Sequence, residues 1–301
     1  MYDLIIVGGG PAGLTAAIYA LRKRLNVFLV SQDLGGKVNY RLEVPNLEGH
    51  QVIRGVEIVE KFWRELDYLE FARHLEPVTT IFKEGDIFKV VTAGGERLES
   101  KSVILATGSR VRQLGVPGEK EFIGRGISYS AISYAPLFLG KRTAVIGDGP
   151  LALRAVAELA LGSEIVNMVA LSSEVMDSPI IQRLASSSRV AMWEGYEVKE
   201  ILGTDYAERL VVQRAKGETM EIAVDGIFIE LGLIPNSDPV KGLAEIDTEG
   251  RVVIDKLNRT SCPGLFAAGD VTDAYAEQVL IAVGEGAKAA LGAYEYLLPN
   301  L

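Results

Sequence analysis

Leu4-Ile5-Ile6-Val7-Gly8-Gly9-Gly10-Pro11-Ala12-Gly13-Leu14 stands at the head of the chain. The four apolar residues suit a strand buried on both faces. The glycine run breaks that strand, and a helical stretch follows from Leu14 to about Arg24. Asn26 to Val30 then reads as a second strand. Strand, glycine-rich turn, helix and strand make the βαβ unit that binds a dinucleotide. In such a turn Gly8 permits the tight bend, Gly10 lets a pyrophosphate approach the backbone, and Gly13 lets helix and strand pack closely. The N–H groups at the helix start then face the phosphates.

The pattern returns near the midpoint. Thr143 to Ile146 reads as a strand, Gly147-Asp148-Gly149-Pro150-Leu151-Ala152 as a turn, Leu153 to Leu161 as a helix, and Ile165 to Ala170 as a further strand. One glycine fingerprint is a weak signal, but two in βαβ context define an α/β fold with two Rossmann-like dinucleotide-binding domains. A length of 301 residues fits two domains.

Charge narrows the function classes. With 31 basic against 40 acidic residues the chain carries −9, which argues against nucleic-acid and anionic-membrane binding. The single cysteine, Cys262, excludes an internal disulfide and reads as a small buried hydrophobe. Two histidines, His50 and His74, with one cysteine give no zinc constellation, so no metal is expected. Leu4 to Leu21 is uncharged and nearly long enough to span a bilayer, but its central glycines and proline make it strand, turn and helix. The basic run Arg22-Lys23-Arg24 follows it, whereas a signal peptide carries its basic residues in front. A cytoplasmic protein is expected.

Further strands read at Val103 to Leu105, before Ala106-Thr107-Gly108, and at Gly226 to Ile229, before Gly232-Leu233-Ile234-Pro235-Asn236. Leu265 to Ala268 leads to Gly269-Asp270, and a helix from about Glu277 to Leu297 closes the chain. Joints are expected near Gly115 to Gly118 and near Asp238 to Gly242.

Taken together, Gly8 to Gly13, Gly35-Gly36-Lys37, Glu43-Val44-Pro45-Asn46, Ala106 to Gly108, Gly147 to Ala152, Gly232 to Asn236, and Ala268 to Asp270 followed by Gln278 occur in an order that resembles the low-molecular-weight thioredoxin reductase family. The likeness extends to the reductase component of alkyl hydroperoxide reductase and covers nearly the full length. It implies a discontinuous FAD domain, residues 1–114 and 245–301, with an NAD(P)-binding-like domain inserted at residues 115–244. It also implies a homodimer.

By the same resemblance, Gly8, Gly10, Pro11, Ala12 and Gly13 cradle the FAD pyrophosphate. Gly36 and Asn46 lie along the flavin moiety, and Ala106, Thr107, Gly108 and Gly269 border the cofactor. Asp270 binds a ribityl hydroxyl. Gln278 and the Val279 backbone, at a helix N-terminus, face the pyrimidine edge where negative charge accumulates. The acidic residue usual about 20 positions after the first turn is missing. Ser31-Gln32 stand there with Asp33 just beyond, and Ser31 is the expected, weaker partner of the adenosine ribose.

Two departures shape the functional expectation. Where the reductases carry Cys-x-x-Cys-Asp, this chain has Ser130, Ser133 and Tyr134. A serine hydroxyl cannot form a disulfide or exchange thiols. Tyr134 is expected either over the flavin ring or as a plain core tyrosine. The arginines that hold the NADPH 2′-phosphate are also absent, because Leu171-Ser172-Ser173-Glu174 stand in their place.

The second turn, with Gly147, Gly149, Pro150, Leu151 and Ala152, is therefore expected to take NAD(H) or a second FAD rather than NADPH. Glu174 would sit on its ribose diol, or the pocket would go unused. The expected function is an FAD-dependent oxidoreductase without a dithiol that passes electrons to a small redox partner, ferredoxin or flavodoxin among them, or to a second dinucleotide. A ferredoxin/flavodoxin–NAD(P)H reductase-like enzyme and a non-catalytic flavin-binding regulatory protein are the alternatives.

Overall fold

A computed structural model describes residues 1–39, 42, 57, 59–62, 64, 72–170, 172, 179–214 and 217–300. They divide into two compact units. One is drawn from Met1–Asn39, Val52–Arg110 and Ile234–Leu301, and the other is centred on Val111–Leu233.

The first unit is built on β1 (Tyr2–Gly9), which pairs in parallel with β2 (Val27–Leu34) and β6 (Arg97–Leu105). With β3 (Ala72–Leu75), β4 (Val78–Glu84) and β5 (Ile87–Thr92) the sheet runs β3-β2-β1-β6-β5-β4. The strands β4, β5 and β6 are antiparallel neighbours. Late in the chain β17 (Leu265–Ala267) returns to pair in parallel with β6.

The apolar run of β1 lacks alternation because both faces are covered. Leu4 and Ile6 point into one core cluster, Ile5 and Val7 into another. The first cluster includes helix α1 (Pro11–Arg22) and the closing helix (Val279–Leu297). α1 begins with Pro at its first position, where the missing N–H costs nothing, and continues through alanines, the best helix formers. Those small residues also let the two helices approach closely. A Cβ on Gly286 would lie 2.1 Å from the Ala12 carbonyl oxygen.

The chain enters the second unit within β7 (Ser109–Val111) and continues through the short helix α2 (Glu119–Phe122), β8 (Ile127–Ser128) and helix α3 (Ala131–Tyr134). β9 (Arg142–Ile146), α4 (Pro150–Leu159), β10 (Ile165–Ala170), α5 (Pro179–Ala185) and β11 (Val190–Glu194) follow. Antiparallel β12 (Tyr196–Gly203), β13 (Ala207–Arg214) and β14 (Thr219–Ala223) precede β15 (Gly226–Ile229) and β16 (Leu233–Pro235). The parallel sheet is ordered β11-β10-β9-β15-β8. Its central strand alternates between two cores. Val145 packs with Ala152, Val156 and Leu159 of α4, while Ala144 and Ile146 pack with Val198, Leu210 and Val212 of the β12–β14 sheet.

The passages at Arg110–Val111 and Leu233–Ile234 fall within β7 and β16, which form a two-stranded ribbon. The return is earlier than the joint expected at Asp238 to Gly242. Asp238–Val240 is a 3-10 turn whose Val240 is fully buried in the core of the first unit, so the chain has rejoined that core before it. Among the described residues no helix is long and apolar enough to cross a membrane. The closing helix shows which of its glycines the packing needs. Gly286→Ala is expected to lower stability by about 1–3 kcal/mol through overpacking. Gly284→Ala, whose Cβ would meet nothing within 4 Å, is expected to raise it by up to ~1 kcal/mol through helix propensity. Urea midpoints of the two variants at unchanged slope check the pair.

Candidate functional site

The three glycines of the first turn have three physical environments. Gly8 has φ +115, and a Cβ there would lie 2.2 Å from the Ala106 carbonyl oxygen. On Gly13 a Cβ would lie 1.8 Å from the Gly8 oxygen. Both positions are closed to any side chain. A Cβ on Gly10 meets nothing within 4 Å, so this face of the turn is open. Gly10 is the N-cap of α1 and offers no side-chain cap, so the first-turn amides after Pro11, those of Ala12 and Gly13, lack a capping side chain. An open cradle under bare helix amides fits a pyrophosphate. Ala106, by contrast, stands behind the turn, its Cβ 3.4 Å from where one on Gly13 would be.

The end of β2 and the residues just after it buttress this cradle. Ser31 Oγ accepts from Gly9 N at 2.7 Å and donates to the Asp33 carbonyl at 2.5 Å. The hydroxyl expected at the ribose has therefore spent its proton on the turn and keeps only acceptor capacity. Asp33 Oδ1 accepts from Gly36 N at 2.9 Å, and Gly35 N donates to the Gly9 carbonyl. These bonds bring Gly36 beside Gly10, with a Cβ on Gly36 falling 3.5 Å from the Gly10 Cα. Thr107, expected to border the cofactor, is bound to Asn236. Its Oγ1 donates to the Asn236 carbonyl at 2.8 Å, and Asn236 Nδ2 donates back to the Thr107 carbonyl at 2.9 Å. Asn236 N bonds the Gly108 carbonyl, so Ala106-Thr107-Gly108 and Pro235-Asn236 form one clasp.

Gly269 lies between the first turns of two helices, since its Cβ would fall 3.1 Å from Ala12 Cβ and 3.6 Å from Ala282 Cβ. The closing helix, α6 (Val279–Leu297), starts at Val279 with Gln278 as N-cap and no side-chain cap, so the amide end expected to face the pyrimidine edge is present. Beneath the loop lies Glu285, which sequence reasoning missed. Its Oε2 accepts from Gly269 N at 2.8 Å and from Thr272 Oγ1 at 3.3 Å. Burial pushes its carboxyl pKa above the ordinary range, against the pull of these hydrogen bonds. A Gly-Glu-Gly spacing with a helix-facing carboxyl is its only local mark. Asp270 carries a second missed residue, Lys37, whose Nζ lies 2.7 Å from Asp270 Oδ2. Asn46 lies outside the described residues.

In the second unit Gly147, at φ +145, could bear a Cβ only 2.6 Å from the Glu230 carbonyl oxygen, while one on Gly149 would meet nothing within 4 Å. Gly149 caps α4 without a side-chain bond, and Pro150 begins it. Leu151 and Ala152 continue the first turn, Ala152 buried against the β9–β10 face of the sheet. The turn thus repeats the open form of the first. Asp148 Oδ2 accepts from Ser172 N at 3.2 Å, which sets an acidic group beside the turn. Glu174 lies outside the described residues, so its ribose role has no structural counterpart here.

Ser130 and Ser133 are brought together, their Oγ atoms 2.9 Å apart across the start of α3. Glu230 Oε1 accepts from Ala131 N at 2.8 Å and fixes this turn to the end of β15. Tyr134 is half-buried against the core of its own unit. The histidine expectation needs one amendment. The structure gathers His74 Nε2 within 3.0 Å of Glu76 Oε2 and 3.6 Å of Glu96 Oε2, a polar group that the sequence spacing does not announce. Hydrogen bonds from Thr92 and His74 hold the Glu76 carboxyl below its ordinary range.

Two open glycine turns, each between a parallel strand and a helix, are the marks of an α/β fold with two dinucleotide-binding domains. The chain belongs to the pyridine nucleotide-disulphide oxidoreductase family, which it matches over residues 2–286, and is a thioredoxin reductase-like member of it. The crystal structure of thioredoxin reductase from Streptococcus pyogenes MGAS5005 superposes with a TM-score of 0.91 at 35% identity over 99% of each chain. The F component of alkyl hydroperoxide reductase from Pseudomonas putida is 38% identical over 99% of this chain and 58% of its own length. NADH dehydrogenase of Bacillus subtilis strain 168 is 36% identical over 99% of this chain and 59% of its own. The chain therefore spans somewhat under three-fifths of these curated relatives.

The buried carboxyl gives a pH signature. A folded-state pKa raised above the unfolded value makes ionisation a cost that sets in as pH rises through the unfolded value of about 4.3. Glu285→Gln keeps an oxygen acceptor for Gly269 N and removes that cost. The stability of the variant relative to wild type is expected to rise between pH 4 and pH 7, measured by urea unfolding at each pH, and to be level below about pH 4, where both states are protonated.

Proposed function

We propose that the chain is an FAD-dependent oxidoreductase that holds FAD noncovalently in its first unit and passes electrons without a redox disulfide of its own. The observation that carries this reading is the open face at Gly10, with Gly36 set against it and bare amides at the starts of α1 and α6. These groups fit the pyrophosphate, the ring border and the electron-rich pyrimidine edge of FAD in turn. FAD supplies reversible two-electron chemistry when bound. The chain supplies the cradle, the helix amides and the carboxylate of Asp270.

The single cysteine and the Ser130–Ser133 pair support transfer that bypasses an internal dithiol. The proposed acceptor or donor is a small redox protein, ferredoxin or flavodoxin among them, or a dinucleotide in the second unit. For that second site we propose NAD(H) or a second FAD. The open face at Gly149 supports pyrophosphate binding, while the acidic Asp148 beside the turn opposes a 2′-phosphate.

The purified protein is expected to be yellow, and Gly10→Val to lose its flavin while folding normally, because the new side chain enters only open space in the protein. Flavin absorbance per protein after desalting, with circular dichroism as the fold control, checks this. Full flavin content in the variant would misplace the phosphate site.

The same protein is expected to show no NADPH-dependent reduction of thioredoxin or of an aromatic disulfide reagent. It is expected to be bleached slowly, if at all, by NADPH. Rapid bleaching with one flavin per chain would favour the ferredoxin–NADP reductase reading. Two flavins per chain would make the second unit a flavin site.

A further inference from the structure

Lys37 has no part in the glycine cradle or the helix amides, yet the structure commits it fully. Its Nζ lies 2.7 Å from Asp270 Oδ2 and 2.8 Å from Ser109 Oγ. Its partners come from different parts of the first unit: Ser109 follows β6, and Asp270 follows β17. Ser109 is buried, and the Asp270 side chain is only 16% exposed. A lysine free to choose keeps its ammonium in water, because ordering its long side chain costs entropy that an exposed ion pair rarely recovers. Here the backbone that carries Lys37 is itself pinned. Gly36 N is held by Asp33, and Gly35 N by Gly9.

The surroundings show what the pair serves. Lys37 adjoins Gly36, which sits against Gly10, and Asp270 adjoins Gly269, which sits between Ala12 and Ala282. The ion pair is thus flanked on both sides by the backbone of the proposed FAD cradle. Glu285 lies under the same loop, where burial already disfavours its charge. An unpaired Asp270 would add a negative charge to this setting.

We infer that Lys37 is a positioning residue of the flavin site: it holds the Asp270 carboxylate in place for the cofactor and cancels its charge toward a flavin that becomes anionic on reduction. The inference rests on the FAD reading above. At neutral pH a flavin that takes up two electrons and one proton gains one negative charge. An uncompensated carboxylate nearby opposes that gain, and a paired one does not. The pair leaves Asp270 Oδ1 for a hydroxyl donor while Oδ2 is occupied by the ammonium.

The test uses the purified flavoprotein and two variants, Lys37→Gln and Lys37→Arg. Flavin content is measured after desalting, and the flavin is equilibrated anaerobically against a redox dye of known potential. The expected result is that Lys37→Gln retains FAD while its reduced-to-oxidised ratio at fixed dye potential falls at least tenfold, and that Lys37→Arg stays within twofold of wild type. Loss of FAD from Lys37→Gln alone, with the fold intact by circular dichroism, also supports the positioning role. An unchanged ratio in Lys37→Gln overturns the inference, as does loss of FAD from both variants, which would mean shape rather than charge is required. A wild-type protein without flavin fails the FAD reading itself, a separate result.

Discussion

Helix α1 begins in backbone contact with the strand that precedes it. With the Gly8 oxygen 1.8 Å from the place of any Cβ on residue 13, no side chain can exist there. That contact lets the helix axis aim its amide end past the turn, and it leaves Gly10 on the far side with open space. The rest of the first unit is arranged around this geometry. Ala106 fills the back of the turn, the end of β2 holds its rim, and α6 crosses α1 closely enough that Gly286 also excludes a side chain. Stability and ligand access are thus set by the same few backbone approaches.

The sequence showed the parts of this architecture whose causes are local. An unalternating apolar run, three glycines at fixed spacing and an alanine-rich stretch each follow from neighbouring residues, and both cradles were legible from them. Contacts between distant positions left no such mark. The strands β4, β5 and β12–β14 went unread because they are only half-buried and their partners are settled by packing. Ser31 and Thr107 were expected at a cofactor, and their protons go to the Asp33 and Asn236 carbonyls. Lys37 in a glycine loop looks like a solvated cation until Ser109 and Asp270 are seen beside it.

The serine turn shows how geometry outlasts chemistry. Its shape is kept by Glu230 accepting the Ala131 amide from the end of β15, and by the half-buried packing of Tyr134. None of these contacts needs sulfur. The two hydroxyls share one hydrogen bond across 2.9 Å, at the place where the family resemblance would put two thiols. The turn thus holds its shape with serines at both positions.

The pairing of β17 with β6 also sets a schedule for the nascent chain. Ser102 Oγ donates to the Gly264 carbonyl across 162 positions, and Val103 to Leu105 pair with Leu265 to Ala267 on that edge. Until the later strand leaves the ribosome, this apolar edge has no backbone partner and α1 lacks its covering helix. At synthesis rates of ~5–20 residues per second the exposure lasts roughly 8–32 s. An unpaired apolar edge invites wrong pairing between polysomal neighbours. Val111–Leu233, the bulk of the second unit, emerges during that interval with its own parallel sheet complete, so it can fold while the first waits. Holding factors that bind extended apolar segments are therefore expected to engage this chain before its last third is made, and to release it when β17 docks.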